Sequence, residues 1–291
     1  MPLRNSAIWF YRQMTARSRR RLMEQLRAQE QMPIAVLFYH RVADHGATPW
    51  TISSSDFKRH LDWIQQRYKI VSLSEAQRRM RAKSNDEFTV AITFDDGYAE
   101  NCQTALPELV SRNLPVTYFV TTDFMGKQRP FRHDIELGLN LPTNNWDEMR
   151  YFASQGVEIG AHTKSHCDVG AIRDEALLRR ELIGSIQHVE SELNTKCRYF
   201  AFPFGRPNNM SQTALDMLQQ HGIEGMCSAY GALNWPGAKG FHIRRIHGDP
   251  GLERLKNWLT LDHRHLEDPS ILPFVEPEIK SEPELELHVG G

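Results

Sequence analysis

Thr89-Val90-Ala91-Ile92-Thr93-Phe94-Asp95-Asp96-Gly97-Tyr98 is the stretch that decides the fold. An apolar, β-branched run without polar alternation needs cover on both faces, as a strand inside a parallel sheet or barrel has. The run stops at two adjacent carboxylates and a glycine, and the glycine permits a sharp turn off the strand end. Barrels and open α/β sheets gather their chemistry at that place, the carboxyl ends of the strands. An isolated Asp-Asp-Gly is more often a solvated turn, so its weight here depends on the rest of the chain.

Working outward, strand-like runs occur at 33–38, 68–72, 115–120, 156–160, 199–202, 223–226 and 241–243. Helical patterns separate them, the longest over 174–193. Strands alternating with helices predict a parallel sheet, and seven or eight such units predict a closed or nearly closed barrel. The chain has 291 residues, enough for one α/β barrel of about 250 residues with extensions. Residues 123–145 are irregular and rich in turn formers, which reads as an insertion or lid.

Lys and Arg number 35 against 36 for Asp and Glu, so no global field recruits nucleic acid. Four cysteines stand far apart with no C-x-x-C pair, which fits reduced thiols better than a zinc ribbon or a disulfide framework. No apolar run reaches the roughly 20 residues of a membrane span. Residues 1–31 carry seven arginines and two acids, with Leu3, Ala7, Ile8, Phe10, Tyr11 and Met14 near helical spacing. This predicts a basic amphipathic helix, one that packs on the body or a partner, or makes peripheral contact with an anionic membrane. There is no apolar core or cleavage site of a secretory signal in it, so the expected location is cytoplasmic or on the inner membrane surface. Residues 32–262 form the expected single domain, and 263–291 an acidic, proline-rich mobile tail.

A second strand end carries Ile159-Gly160-Ala161-His162-Thr163-Lys164-Ser165-His166. Two histidines four apart can converge on one ion if the turn between them is helical. With one carboxylate they supply three protein ligands and leave positions for water and substrate, the layout of a catalytic zinc site. Non-haem iron accepts the same ligand set. The third segment is Tyr199-Phe200-Ala201-Phe202-Pro203-Phe204-Gly205, by itself a buried aromatic strand ending in a Pro/Gly turn.

Thr93-Phe94-Asp95-Asp96-Gly97, His162-Thr163-x-x-His166 and Phe200-Ala201-Phe202-Pro203-Phe204-Gly205, in that order, resemble the polysaccharide deacetylases of the NodB-homology group, carbohydrate esterase family 4. Leu37-Phe38-Tyr39-His40-Arg41-Val42 and Trp146-Asp147 add to the resemblance, which covers about residues 33 to 260. It implies a distorted (β/α)7-type barrel and metal-dependent hydrolysis of N-acetyl groups on an N-acetylhexosamine glycan or its precursor. It further implies Asp96, His162 and His166 as metal ligands and Asp95 as general base, a division that spacing alone leaves open. The implied ion is zinc first, with iron, nickel or cobalt as alternatives.

By the same resemblance the backbone N–H near Phe204, in the Pro203-Phe204-Gly205 turn, faces the oxyanion. His247 is the implied general acid, with His242 as a competitor and Asp249 or Arg245 to orient it. His40 and Arg41 are expected to support the site or touch substrate, and Trp235 to stack on a sugar or pack its loop. Many relatives place an arginine where Ala201 stands, paired with the base aspartate; Arg198 is near, though strand alternation makes it an uncertain replacement. That departure motivates one alternative function, a non-catalytic glycan-binding or assembly protein. Another is an O-acetyl esterase.

Overall fold

β1 (Ile34–Tyr39) and β2 (Thr89–Phe94) pair in parallel along their whole length, and every residue of both is buried. Around them the computed structural model, which describes residues 2–127, 129–231, 233–248 and 250–266, closes a ring. The other staves are β3 (Thr117–Val120), β4 (Glu158–Ala161), β5 (Tyr199–Ala201), β6 (Gly225–Gly231) and β7 (His242–His247). Each stave is parallel to the next, and β7 returns to β1, so the expected (β/α)7-type barrel forms as a single domain.

Side-chain alternation divides the staves into two packing layers. Ala35, Leu37, Val90, Ile92, Tyr118 and Val120 face outward into the large core under the helices. Ile34, Val36, Ala91, Phe119, Tyr199, Ala201, Cys227 and Ile243 fill the barrel axis. Gly160 shows how full that axis is: a Cβ there would stand 2.5 Å from the Phe119 ring. Helix α1 (Pro2–Ala28) lies outside, and α2 (Ser54–Gln65) packs on the barrel through Phe57, Leu61 and Ile64. Helix α3 (Leu73–Arg81) starts at Ser72, whose side chain accepts the Glu75 N–H, and closes the amino end of the barrel. Its Leu73, Ala76 and Met80 join the axial core, while Gln77 donates to the carbonyls of Glu224 and Gly240.

The segment expected as a strand at 68–72 contributes only Lys69–Ile70, which pairs with the start of β2 and is no stave. Conversely β6 and β7 run beyond the expected 223–226 and 241–243. Ser228, Arg244, Arg245 and His247 hid their periodicity, because polar residues replace apolar ones where the strands reach the functional rim.

Among the described residues no helix is long and apolar enough to cross a membrane. The basic helix expected in 1–31 forms, but its buried stripe is not the expected one. Leu22 and Leu26 enter the core, Tyr11 donates to Asp262 at 2.6 Å, and Arg19 donates to Asp262 and Asn257. Trp9, Phe10 and Met14 face outward instead. Helix α4 (Leu252–Leu259) packs on α1, and Arg12 pairs with Glu253. The expected acidic tail lies outside the described residues from 267 onward.

Candidate active site

The inward parity that fills the axis continues to the carboxyl rim and selects the functional side chains. Ala91 and Thr93 lead to Asp95, Gly160 to His162, Val36 and Phe38 to His40, and Ile243 and Arg245 to His247. Asp96 follows the opposite parity and reaches the same cleft through a left-handed backbone, φ +74°. These residues line a cleft of about 540 Å³ together with Phe38, Trp50, His133, Phe202, Phe204 and Arg206.

Asp96 Oδ1 lies 3.3 Å from His162 Nε2 and 3.1 Å from His166 Nε2. All three ligand-type atoms fall within 4.8 Å of one another. Asp96 Oδ1 is buried without a hydrogen-bond partner, an orphaned acceptor facing the two ring nitrogens. His162 Nδ1 stands 2.8 Å from the Ala201 carbonyl oxygen. A carbonyl only accepts, so Nδ1 carries the proton and, in the neutral ring, Nε2 presents its lone pair to the cradle. Two imidazoles and a carboxylate fit a divalent ion of the zinc type, with coordination positions left over.

The turn between the two histidines is not helical, contrary to the spacing argument. Thr163 and His166 are left-handed, φ +62° and +57°, and the Thr163 hydroxyl accepts the His166 N–H at 3.0 Å. A loop pinned by its own threonine brings the second imidazole back over the rim. Phe131 and Phe204 hold its ring, each centroid 5.2 Å away.

Beside the cradle, Arg245 grips Asp95 with two parallel bonds, Nη1 to Oδ1 at 2.7 Å and Nη2 to Oδ2 at 2.8 Å. The guanidinium is fixed in turn by the Ser228 carbonyl, the Thr93 hydroxyl and the rings of Phe38 and Phe119. Burial by itself would raise the Asp95 carboxyl; Arg245, with His162, outweighs it and holds Asp95 below the usual carboxylate range. Asp96 is held well below that range, His166 and His162 overcoming its burial. Burial pushes His40 down to about 4.

Arg245 is therefore the guanidinium partner that Ala201 lacks, delivered from β7. Sequence alone offers Arg245, or Asp249, to orient His247; the signal for the clamp is its register, two residues after Ile243 and two before His247. Arg198 is no substitute, since it pairs with Glu158 at the amino end of β4. His247 does reach the cleft, its ring 4.9 Å from Phe38 and 5.3 Å from His40. His242, the first residue of β7, does not line the cleft: it is buried, and its Nε2 is 2.8 Å from the Ser228 hydroxyl. Asp249 lies outside the described residues.

Arg41 does not face the cleft. It is fully buried and holds the following loop through Glu100, Thr51 and the carbonyls of His45 and Gly46. Trp235 also lies elsewhere, packed on the main core just past Asn234, which pairs with Ile34 at the amino end of β1. The tryptophan lining the cleft is Trp50, whose Nε1 donates to the Tyr98 hydroxyl at 3.0 Å. That hydroxyl also meets His133 Nε2 and buried Asp134 at 3.0 Å each. The irregular segment after 123, expected as an insertion or lid, thus walls the site with His133 and packs Phe131 on His166.

The Pro203-Phe204-Gly205 turn sits at the rim as expected. Gly205 is left-handed, φ +56°, and a Cβ there would stand 2.5 Å from the Ala229 nitrogen, so only glycine fits. Pro203 has no N–H and Gly205 directs its own to the Pro203 carbonyl at 2.6 Å, which leaves Phe204 as the turn's available amide.

A closed parallel barrel with carboxylates and imidazoles collected at its carboxyl rim defines an α/β-barrel hydrolase of the deacetylase type. Residues 82–226 match the family model described as polysaccharide deacetylase, and the chain belongs to that family, whose members hydrolyse amide bonds. It is 22% identical over 234 residues to YxkH of Bacillus subtilis (strain 168), a protein named for the polysaccharide deacetylases, covering 78% of this chain and 75% of that one. The fold matches IcaB from Ammonifex degensii with a TM-score of 0.66 and 22% identity, over 79% of this chain and 98% of the other. The Streptococcus pyogenes deacetylase PplD matches with a TM-score of 0.64 and 19% identity, over 78% and 98%.

Proposed function

We propose that the chain is a metal-dependent N-deacetylase acting on an N-acetylhexosamine-containing glycan or glycan precursor. The observation that carries this reading is the Asp96–His162–His166 cradle with Asp95 clamped beside it by Arg245. A divalent ion held by those three residues, zinc first and iron, nickel or cobalt as alternatives, would supply Lewis-acid polarisation of the acetyl carbonyl and a more acidic water.

The chain's own groups perform the rest. Asp95, kept ionised and aligned by Arg245, takes the proton of the attacking water. The Phe204 N–H donates to the carbonyl oxygen as negative charge develops on it. His247, in ring contact with His40, delivers a proton to the departing amine nitrogen. Trp50 and Phe204 offer aromatic surface to the sugar ring on either side of the cleft.

Arg245 removes the motive for a binding-only protein, since the base aspartate has its guanidinium. Acetate release from N-acetylglucosamine oligomers by the zinc-loaded protein tests the reading. Release abolished by a chelator and by Asp95→Asn is expected. Full activity in either case would overturn it, and release from O-acetylated sugars alone would assign an esterase.

A further inference from the structure

We propose that the outer face of α1 docks on an anionic phospholipid bilayer, with the catalytic rim beside that surface at the amino-terminal end of the helix. At 3.6 residues per turn, Trp9, Phe10, Met14, Arg17, Arg20 and Arg21 fall in one sector about 140° wide. The opposite side is committed to the protein through Tyr11, Arg12, Arg19, Leu22 and Leu26. In the outward sector Trp9, Phe10 and Met14 are 50%, 61% and 72% exposed, most of the surface that large apolar side chains have to offer.

The arginines of this sector are exposed, and no carboxylate among the described residues pairs with Arg17, Arg20 or Arg21. Glu24 is the single acid of the helix. A few aromatic and thioether side chains flanked by unpaired cations complement a diffuse anionic surface rather than a shaped apolar groove. Indole and phenyl rings enter the headgroup layer while guanidinium groups meet lipid phosphates.

The direction of α1 sets the orientation. Asn5 lies against Gly251, just beyond the end of β7, and Arg12 pairs with Glu253, so the first turns stand at the carboxyl rim. Past its other end, Gln31 bridges Asn85 ahead of β2, at the amino end of the barrel. Trp9 and Phe10 therefore mark the end at which the cleft opens. Resting on the deacetylase reading, this makes a glycan carried at a membrane surface the favoured substrate class.

The test is co-sedimentation of the full chain with vesicles of phosphatidylcholine alone and of phosphatidylcholine mixed with phosphatidylglycerol. Binding is expected only to the mixed vesicles, falling as salt rises from about 0.1 M to about 1 M. Arg17→Gln/Arg20→Gln/Arg21→Gln should weaken it on the order of 100-fold. Trp9→Ala/Phe10→Ala should weaken it while leaving acetate release from a soluble oligomer unchanged. Equal binding to both vesicles, none to either, or no effect of the two variants would overturn the proposal. Binding that appears only after removal of 267–291 would assign the face to that acidic segment instead. Because the assay reads lipid binding, it stands or falls separately from the deacetylase activity.

Discussion

Replacing Arg245 by Met keeps much of the volume and removes the groups that hold Asp95. Six contacts disappear: two to Asp95, one each to Thr93 and Ser228, and those to the rings of Phe38 and Phe119. Leaving a buried charge without its partner costs about 3–5 kcal/mol of stability. The kinetic effect is separable. A general base contributes about 100- to 10,000-fold, and a displacement of about 1 Å forfeits about 100-fold, so kcat should fall about 100-fold or more.

The sign of the pH effect is fixed by the opposing influences on Asp95. Arg245 holds its carboxyl down against burial, so without the guanidinium burial prevails and the pKa rises. Since Asp95 must be ionised to accept a proton, the acid limb of the kcat profile should move to higher pH. Initial rates of acetate release across pH, with the folded fraction fixed by circular dichroism, measure both effects. Ala201→Arg in the Arg245→Met background should restore part of the rate, because position 201 faces the same axis. An Arg245→Met variant that is folded, fully active and unshifted in its acid limb would refute the clamp.

Zinc should stabilise the protein by about 2.7 kcal/mol at 100-fold over its Kd, read as a rise in Tm; His166→Ala should abolish most of that rise. Gly205→Ala should cost more than about 1 kcal/mol and depress kcat, since the added methyl meets Ala229 and displaces the Phe204 amide. Burial raises Asp134 to about 6, above the ordinary carboxylate value of about 3.9. Its ionised form therefore destabilises the fold progressively as pH climbs through that interval. Asp134→Asn should accordingly gain in Tm relative to the parent as pH rises from about 4 to about 6, and a gap that stays constant would contradict this.

The barrel was legible wherever a strand is apolar throughout, as β1 and β2 are. It was least legible in β7, where His242-Ile243-Arg244-Arg245-Ile246-His247 carries the clamp and a rim histidine at strand positions. The Asp96–His162–His166 cluster could be read from Asp-Asp-Gly and His-x-x-x-His, but not how it closes, since left-handed Asp96, Thr163 and His166 have no composition signature. Arg41 stands as a loop-holding residue rather than a cleft residue, and the sequence could not separate the two because its partner Glu100 stands far off. Trp50, Tyr98, His133 and Asp134 come from three separate segments, and only tertiary packing makes them one wall.

Helix α3 seals the floor of the barrel, and the seal governs molecular traffic. With no rear exit among the described residues, the acetylated sugar, the water it consumes and the acetate it yields share one doorway. Accumulated acetate should therefore obstruct the next sugar, and a long glycan has to lie across the opening, where an internal unit can be treated as readily as a terminal one.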